Sequence, residues 1–281
     1  MTWITPGPRP PTPTSLGEQG RADEELAVFQ EIARRFGGAA ELELRVDVAG
    51  ALIYGAGCFE AMNRPGDAFV LYGEVERRFG DAAEPELRKE VATALSYKGH
   101  GLRRLGQSEE ALAAYEQVSR RYGDAAGPAL CSAVASALAS KGVLLGELGR
   151  YTEEIAVLEE IDRRYGAYAE PGVRVAVARS LVNKGWPLGE LGRPDEEIAV
   201  YAEAGRRFGG DDDPDLRALV AFALVRKVEA LLGLGRPDEV MAACREFGQR
   251  FGDDLRELED NLGLELAERI ACCMRDARQQ K

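Results

Sequence analysis

Few side chains in this sequence are suited to acid–base or metal chemistry. One histidine, His100, occurs in 281 residues, and no glycine-rich loop ends in the Lys-Ser or Lys-Thr of a phosphate-binding site. The five cysteines lack the paired spacing of a metal site: they are Cys58, Cys131, Cys244, Cys272 and Cys273. No serine or cysteine stands in a nucleophile motif with a base. We therefore expect no catalytic residue, no metal site and no cofactor, and predict that the protein is not an enzyme.

Arginine pairs are the most regular charged feature. They occur at Arg34-Arg35, Arg77-Arg78, Arg120-Arg121, Arg163-Arg164 and Arg206-Arg207. Such a ladder could bind a polyanion along one ridge. The chain has 36 basic and 48 acidic residues, however, and its net charge of −12 disfavours nucleic acid and anionic membranes. We expect ion pairs and helix-dipole interactions to account for these pairs, and we do not expect nucleic acid as a partner.

The composition favours a cytoplasmic, bacterial protein. Hydrophobic residues make up 45% of the chain, which is enough for a buried core. An odd number of unpaired cysteines is typical of a reducing compartment. Residues 1–20 have no signal-peptide core, and no stretch approaches the roughly 20 apolar residues of a spanning helix. Richness in alanine, arginine and glycine is typical of a GC-rich genome.

Two sequence markers recur every 43 residues. The aromatic of an Arg-Arg-(Phe/Tyr)-Gly segment stands at Phe36, Phe79, Tyr122, Tyr165 and Phe208, with a variant at Phe251. A Leu-Gly segment at 105–106, 148–149, 191–192 and 234–235 keeps the same spacing, and Met62-Asn63 takes its place in the first repeat. Because both markers keep one register without insertion, the chain is predicted to be a repeat array.

Each repeat is predicted to form two helices. The second begins with proline and carboxylates, as at Pro194-Asp195-Glu196, and ends with cations and glycine. The first opens near Pro85, Pro128, Pro171 or Pro214 and runs about 20 residues with helical spacing of its apolar positions. Such hairpins must stack to bury their apolar stripes. We predict an all-α, right-handed superhelical solenoid of antiparallel hairpins with about twelve helices.

The predicted domain organisation has three parts. Residues 1–20 hold five of the thirteen prolines and are predicted to form a flexible tail. Residues 21–253 form the repeat array, which opens with a half repeat over 21–36, an unpaired second helix. Residues 254–281 supply a capping helix and a short tail.

The hairpin Lys98-Gly99-(x2)-Leu102-(x2)-Leu105-Gly106-(x4)-Ala111-(x3)-Tyr115 resembles the tetratricopeptide repeat. The resemblance covers roughly residues 21–278, although the period is 43 where the usual unit has about 34 residues. It implies a non-catalytic scaffold whose concave face, lined by first helices, binds a peptide or a partner helix. The Lys and Asn of members that read a C-terminal carboxylate are absent, so that specificity is not carried over.

The resemblance also implies which residues face the partner. They are Thr93, Ser96, His100, Arg103, Ser136, Val143, Arg179, Val182, Trp186, Phe222 and Glu229. Trp186-Pro187 is the sharpest irregularity, because Pro187 falls inside a first helix and should kink it. Trp186 is expected to anchor a partner, although drift within one repeat would explain the same residues. His100 and Arg103, one turn apart, could receive an acidic group.

Three functional hypotheses follow. The first is a cytoplasmic adaptor that captures a protein or peptide of unknown identity on its concave face. The second is a structural module that self-associates, with the proline-rich tail lying in a neighbour's groove. Polyanion binding through the arginine pairs is a weaker third.

Overall fold

The structure is a computed structural model that describes residues 22–124 and 127–251. The chain divides between Gly149 and Arg150 into two compact units, and each is described by itself. The predicted tail over residues 1–20 and the predicted cap over 254–281 lie outside the described residues. A single array over 21–253 stays a prediction.

In the described residues, the unit that ends at Gly149 contains six helices. They are α1 (Ala22–Phe36), α2 (Leu42–Ala61), α3 (Pro65–Phe79), α4 (Pro85–Arg104), α5 (Ser108–Tyr122) and α6 (Pro128–Glu147). Each helix packs on the next in sequence, and the three longer helices also pack on one another, α2 on α4 and α4 on α6. The longer helices therefore share a common face, which is called the first-helix face below.

The unit that begins at Arg150 repeats this pattern. Its helices are α7 (Tyr151–Tyr165), α8 (Pro171–Asn183), α9 (Gly185–Glu190), α10 (Pro194–Phe208), α11 (Pro214–Gly233) and α12 (Pro237–Phe251). Helix α11 packs on α10, α12 and α8. Residues 22–124 and 127–251 contain helices and no strand, which confirms the predicted all-α fold.

The helix bounds follow from the sequence markers. First helices begin at residues 42, 85, 128, 171 and 214, and second helices of 15 residues begin at 22, 65, 108, 151, 194 and 237. Proline at the first helical position, as in α3, α4 and α10, has no N–H to leave unsatisfied. The Leu-Gly segments end the first helices, because Gly106, Gly192 and Gly235 adopt φ of +75°, +67° and +64°. Asn63 takes the left-handed position in the first turn, with φ of +57°.

Large aromatic side chains fill the space between the helices. Tyr72 and Tyr115 are at most 1% exposed in the first unit, as is Tyr201 in the second. The ring of Tyr115 lies so close to α4 that a Cβ at Gly99 would be 2.6 Å from it. A glycine in the middle of a helix normally weakens it, and here the glycine admits the tyrosine ring between two helices.

The fourth first helix is broken into α8 and α9. Helix α8 ends at Asn183 and α9 begins at Gly185, so the break lies one turn before Pro187. Pro187 has no N–H to donate to the carbonyl of Asn183, which is the bond that would continue the helix. The helix is therefore interrupted before Pro187, which sets Trp186 on the short segment α9, and the bend that Pro187 predicts stays a prediction.

Helix α6 departs from one sequence expectation. In the described residues, it alone is long and apolar enough to cross a membrane by length and composition. Its charged residues within Pro128–Glu147 are Lys141 and Glu147. Buried positions make up 72% of its apolar window, as in the core helix of a folded domain. The expectation that no stretch approaches a spanning helix is corrected to that extent.

Candidate functional site

An open cleft lies on the first-helix face of the unit that ends at Gly149. Its volume is about 610 Å³, within the range of binding sites for small or extended ligands. Helices α1, α2 and α4 form its walls. The aromatic lining consists of Phe29 and Phe36 from α1, Tyr54 from α2 and Tyr97 from α4. This set of four aromatic residues is called the aromatic cleft.

Two rings of the aromatic cleft, those of Phe36 and Tyr54, are exposed to solvent. Phe29 and Tyr54 stack with centroids 5.5 Å apart and planes 19° apart. Tyr54 is 46% exposed and Phe36 is 42% exposed. Aromatic rings that are already ordered bind a partner at a low cost in side-chain entropy. The geometry suits a ligand with apolar or ring-shaped groups.

Charged side chains border the aromatic cleft. Lys89 pairs with Glu90 at 3.0 Å, and Asp47 is exposed beside them. No ion pair to Asp47 occurs among the described residues of this unit. Thr93, whose hydroxyl donates to the Lys89 carbonyl at 2.9 Å, completes this side. The rim therefore carries one net negative charge and is suited to a ligand with a single cation.

Of the sequence-predicted site residues, Thr93 is the one that lines this cleft. Sequence reasoning missed the aromatic residues, although a signal for Tyr54 existed. Tyr54 stands 43 residues before Tyr97, so both occupy one register position on consecutive first helices. The family pattern assigned positions to the face, but it did not indicate which positions would be exposed.

His100 and Arg103 are already engaged within their unit. The hydroxyl of Ser140 donates to the Ser136 carbonyl at 3.0 Å, so the Nε2–H of His100 donates to that hydroxyl oxygen at 2.9 Å. Burial, together with the nearby Arg103 charge, lowers the pKa of His100 to about 4. Arg103 forms a bidentate ion pair with Glu147, whose Nε–Oε2 distance is 2.8 Å. Neither side chain is positioned as a ready receiver of an acidic group.

The valines predicted on the partner face do not reach it. Val143 and Val182 are each 2% exposed, so both belong to the core and are withdrawn from the candidate surface. Ser96 is half-buried and its hydroxyl donates to the carbonyl of Ala92 at 2.8 Å, while Ser136 is also half-buried. A serine hydroxyl that donates to a carbonyl of its own helix, as Ser96 does, is common within helices.

Trp186 packs against an arginine of its own unit. The Arg226 guanidinium lies 5.6 Å from the centroid of the Trp186 ring, and Arg226 also pairs with Glu229. Trp186 and Glu229 are half-buried. This cation–π contact holds Trp186 in one orientation, so a partner would meet the tryptophan together with Arg226.

Arg179 on α8 and Phe222 on α11 are 43 residues apart and therefore occupy the same register position in consecutive repeats. Both are half-buried. The Nε atom of Arg179 is buried, and no hydrogen bond to it occurs within residues 127–251. Burial lowers the pKa of this arginine, because Asp215 is too weak a partner to offset the desolvation. Arg179 therefore keeps one donor without an acceptor in the described part of the chain, but this donor is buried and not open to a partner.

The arginine pairs have a structural role. In some pairs the second arginine reaches back to the preceding repeat: Arg121 pairs with Glu76 at 2.7 Å and donates to the Gly80 carbonyl at 3.1 Å. In the other unit Arg207 binds Asp162 at 2.7 Å and the Gly166 carbonyl at 3.3 Å. These contacts satisfy carbonyl groups at the ends of second helices. Some of the arginines that could bind a polyanion are therefore already paired with carboxylates of the same chain.

Buried carboxylates, among them Glu60 and Glu154, lie outside these surfaces. Glu60 accepts a hydrogen bond from the Tyr72 hydroxyl at 3.0 Å and pairs with Arg104 at 3.3 Å. Glu154, in α7, is 0% exposed, and neither of its oxygens has a hydrogen-bond partner in the described part of the chain. Burial raises the pKa of Glu154 to about 8. No group of three or more metal-ligating side chains occurs in residues 22–124 and 127–251.

No protein-family model and no curated protein matches the sequence. A crystal structure of a thermophilic tetratricopeptide-repeat protein from Thermus thermophilus is similar over 78% of this chain and 95% of that chain, with 19% identity and a TM-score of 0.38. A likeness at this TM-score does not establish the family. The evidence for the helical-repeat fold is the set of helices and their 43-residue spacing.

Proposed function

We propose that the protein is a non-catalytic interaction scaffold that binds an extended peptide of a partner protein in the aromatic cleft. The observation that supports this is the exposure of Phe36 and Tyr54 on one open surface. Exposed apolar patches that are rimmed by polar residues often mark sites of interaction with a protein or ligand. Tyrosine is also enriched among residues that dominate the binding energy of interfaces.

The chemistry of the cleft defines the peptide. Stacked rings accept proline or aromatic side chains, which lie flat on aromatic surfaces. The net negative rim, formed by Asp47, Glu90 and Lys89, favours one basic residue in the peptide. We therefore expect an extended peptide with two or three ring-shaped or apolar side chains and one lysine or arginine.

The test is a selection from a random twelve-residue display library with the full chain as bait. Binding of selected peptides to wild type and to Tyr54→Ala is then measured by fluorescence anisotropy. A tyrosine at the centre of an interface contributes at least about 2 kcal/mol, so the affinity should fall roughly thirtyfold. Since Tyr54 is 46% exposed, its removal leaves the core intact.

Leu105→Ala is the matched control. Leu105 is 51% exposed, yet it lies in the turn after α4 and does not line the aromatic cleft. Peptides should bind the Leu105→Ala variant as well as they bind wild type. If the selected peptides bind the Tyr54→Ala protein with unchanged affinity, or if no peptide is selected, the proposed site is wrong.

A further inference from the structure

The aromatic cleft lies on the side of α1 where the repeat pattern would place a preceding first helix. Helix α1 has the length and the register of a second helix. The first helix of the same repeat would lie 43 residues before α2. Counting back from Leu42–Ala61 places the end of that helix at residue 18. Residues 1–17 contain five prolines, however, and their spacing is incompatible with a regular helix.

Comparison of equivalent positions shows the effect of this omission. Phe36 is 42% exposed, whereas Phe79 and Tyr122 at the same register position are 6% and 4% exposed. Tyr54 is 46% exposed, whereas Tyr97 is 6% exposed. The aromatic cleft is therefore the surface that a preceding first helix covers in the other repeats of this unit.

Contacts in a complete repeat show what such a covering segment does. In the complete repeat formed by α4 and α5, the Arg88 guanidinium of the first helix lies 5.4 Å from the centroid of the Tyr122 ring. Cation–π contact and apolar packing together bury that ring. A segment that covers Phe36 in the same way needs apolar side chains and a cation.

We propose that residues 3–13 of the same chain occupy the aromatic cleft and compete with the partner peptide. This inference rests on the proposed function, because it concerns the same site. Trp3 and Ile4 supply apolar anchors, and the prolines favour the extended conformation that aromatic grooves bind. Arg9 is the one charged residue in 1–17, and it complements the rim that includes Asp47.

The connection is long enough for binding within one molecule. Residues 3–13 lie 9 to 19 positions before Ala22. A proline-rich segment extends about 3.1 Å per residue, so they can reach roughly 28–59 Å from that residue. The far end of the cleft, at Phe36, lies about 21 Å along α1 from Ala22, at 1.5 Å per residue. The segment can fold back along α1 without any rearrangement of the helices.

Binding in this way would regulate access to the cleft. A tethered segment acts at an effective concentration in the millimolar range. If the free segment binds with a dissociation constant of about 0.1 mM, the tether reduces the apparent affinity for a competing peptide roughly tenfold. A partner would therefore have to displace the segment or to bind better than it does.

Photo-crosslinking of the full chain tests the location. The photoreactive residue p-benzoylphenylalanine, which is one ring larger than tyrosine, replaces the exposed Tyr54, and light and heavy-isotope chains are mixed before irradiation. We expect mass spectrometry to find crosslinks from position 54 to residues 3–13 within light or within heavy chains. Crosslinks that join light to heavy chains would overturn binding within one molecule and indicate self-association. Absence of any crosslink to this segment would overturn the inference altogether.

Competition tests the regulation in the same full chain. The probe is a fluorescein-labelled synthetic peptide of residues 1–17, and the variant is Trp3→Ala with Arg9→Ala. The probe should bind the variant roughly tenfold more tightly than wild type, and Tyr54→Ala should abolish this gain. Equal binding to variant and wild type would refute autoinhibition. If display-selected peptides still bind in a Tyr54-dependent way, the proposed function survives that failure; if they do not, both fail.

Discussion

Ionisation of Glu154 should make the protein less stable at neutral pH. Glu154 is fully buried, and neither of its oxygens has a hydrogen-bond partner in the described residues. Its pKa rises from 4.5 to about 8 in the folded state. Because the folded state favours the protonated acid, the penalty is absent below pH 4.5, grows as the pH rises from 4.5, and is complete above about 8.

The magnitude follows from this shift. At pH 7 the unfolded carboxyl is ionised and the folded one is largely protonated, which costs about 3 kcal/mol at roughly 1.36 kcal/mol per pH unit. Glu154→Gln keeps the shape of the side chain and removes the ionisation. The variant should therefore be about 3 kcal/mol more stable than wild type at pH 7 and nearly equal to it at about pH 4.5.

Urea unfolding followed by circular dichroism, at pH values from about 4.5 to about 8.5, measures this difference. Glu153→Gln is the control, because Glu153 is exposed and its pair with Arg150 contributes at most about 1 kcal/mol. A constant denaturant slope would show that the variants unfold from the same native state. A stability difference that does not grow with pH would refute the reasoning, since it would mean that a counter-charge or water stabilises the Glu154 carboxylate.

Three further predictions concern the repeats and the histidine. Gly99→Ala should destabilise the unit that ends at Gly149 by about 1–3 kcal/mol, because the new methyl group would lie 2.6 Å from the ring of Tyr115. Gly73→Ala should stabilise the same unit by about 1 kcal/mol, because no atom lies within 4 Å of the new methyl group. Thermal unfolding of the two variants and of wild type measures both effects. Arg121→Ala should lower the free energy of unfolding by about 1–2 kcal/mol, because it removes the contacts with Glu76 and the Gly80 carbonyl. Arg120 is exposed, so Arg120→Ala should lower it by less than about 0.5 kcal/mol. Equal effects of the two substitutions in urea unfolding would contradict the role of Arg121 as a bridge between repeats. The pKa of His100, followed by NMR, should be about 4, with stability falling as the pH drops from 6.5 towards 4; a midpoint near 6.5 would show that the imidazole is not buried.

Most of the fold could be predicted from local sequence signals. Proline, the Leu-Gly segment and the arginine pairs mark helix starts and ends by mechanisms that act within one turn, so 43-residue spacing in the sequence becomes 43-residue spacing between helices. Pro187 likewise acts on the backbone bond of its own helix. Such effects need no knowledge of neighbouring helices.

The candidate site depended on contacts between repeats and was harder to predict. His100 has the residue type of a polar receiver, yet its Nε2–H is used by Ser140, which lies 40 positions later. Val143 was assigned to the face by register and is buried instead. Tyr54 is 46% exposed whereas Tyr97, at the same register position, is 6% exposed, and neither residue type predicts that difference. The exposure of a side chain depends on the helices of adjacent repeats, so the sequence of one repeat does not determine it.

The uniform turns have a consequence for how the chain can change length. Gly106 and Gly149 adopt left-handed conformations 43 residues apart, and the segment between them contains one complete second helix and one complete first helix. A tandem duplication or a deletion with both ends in these turns would keep every helix start, helix end and arginine bridge in register. A protein of this design can therefore gain or lose one whole repeat at a time without losing its helix boundaries.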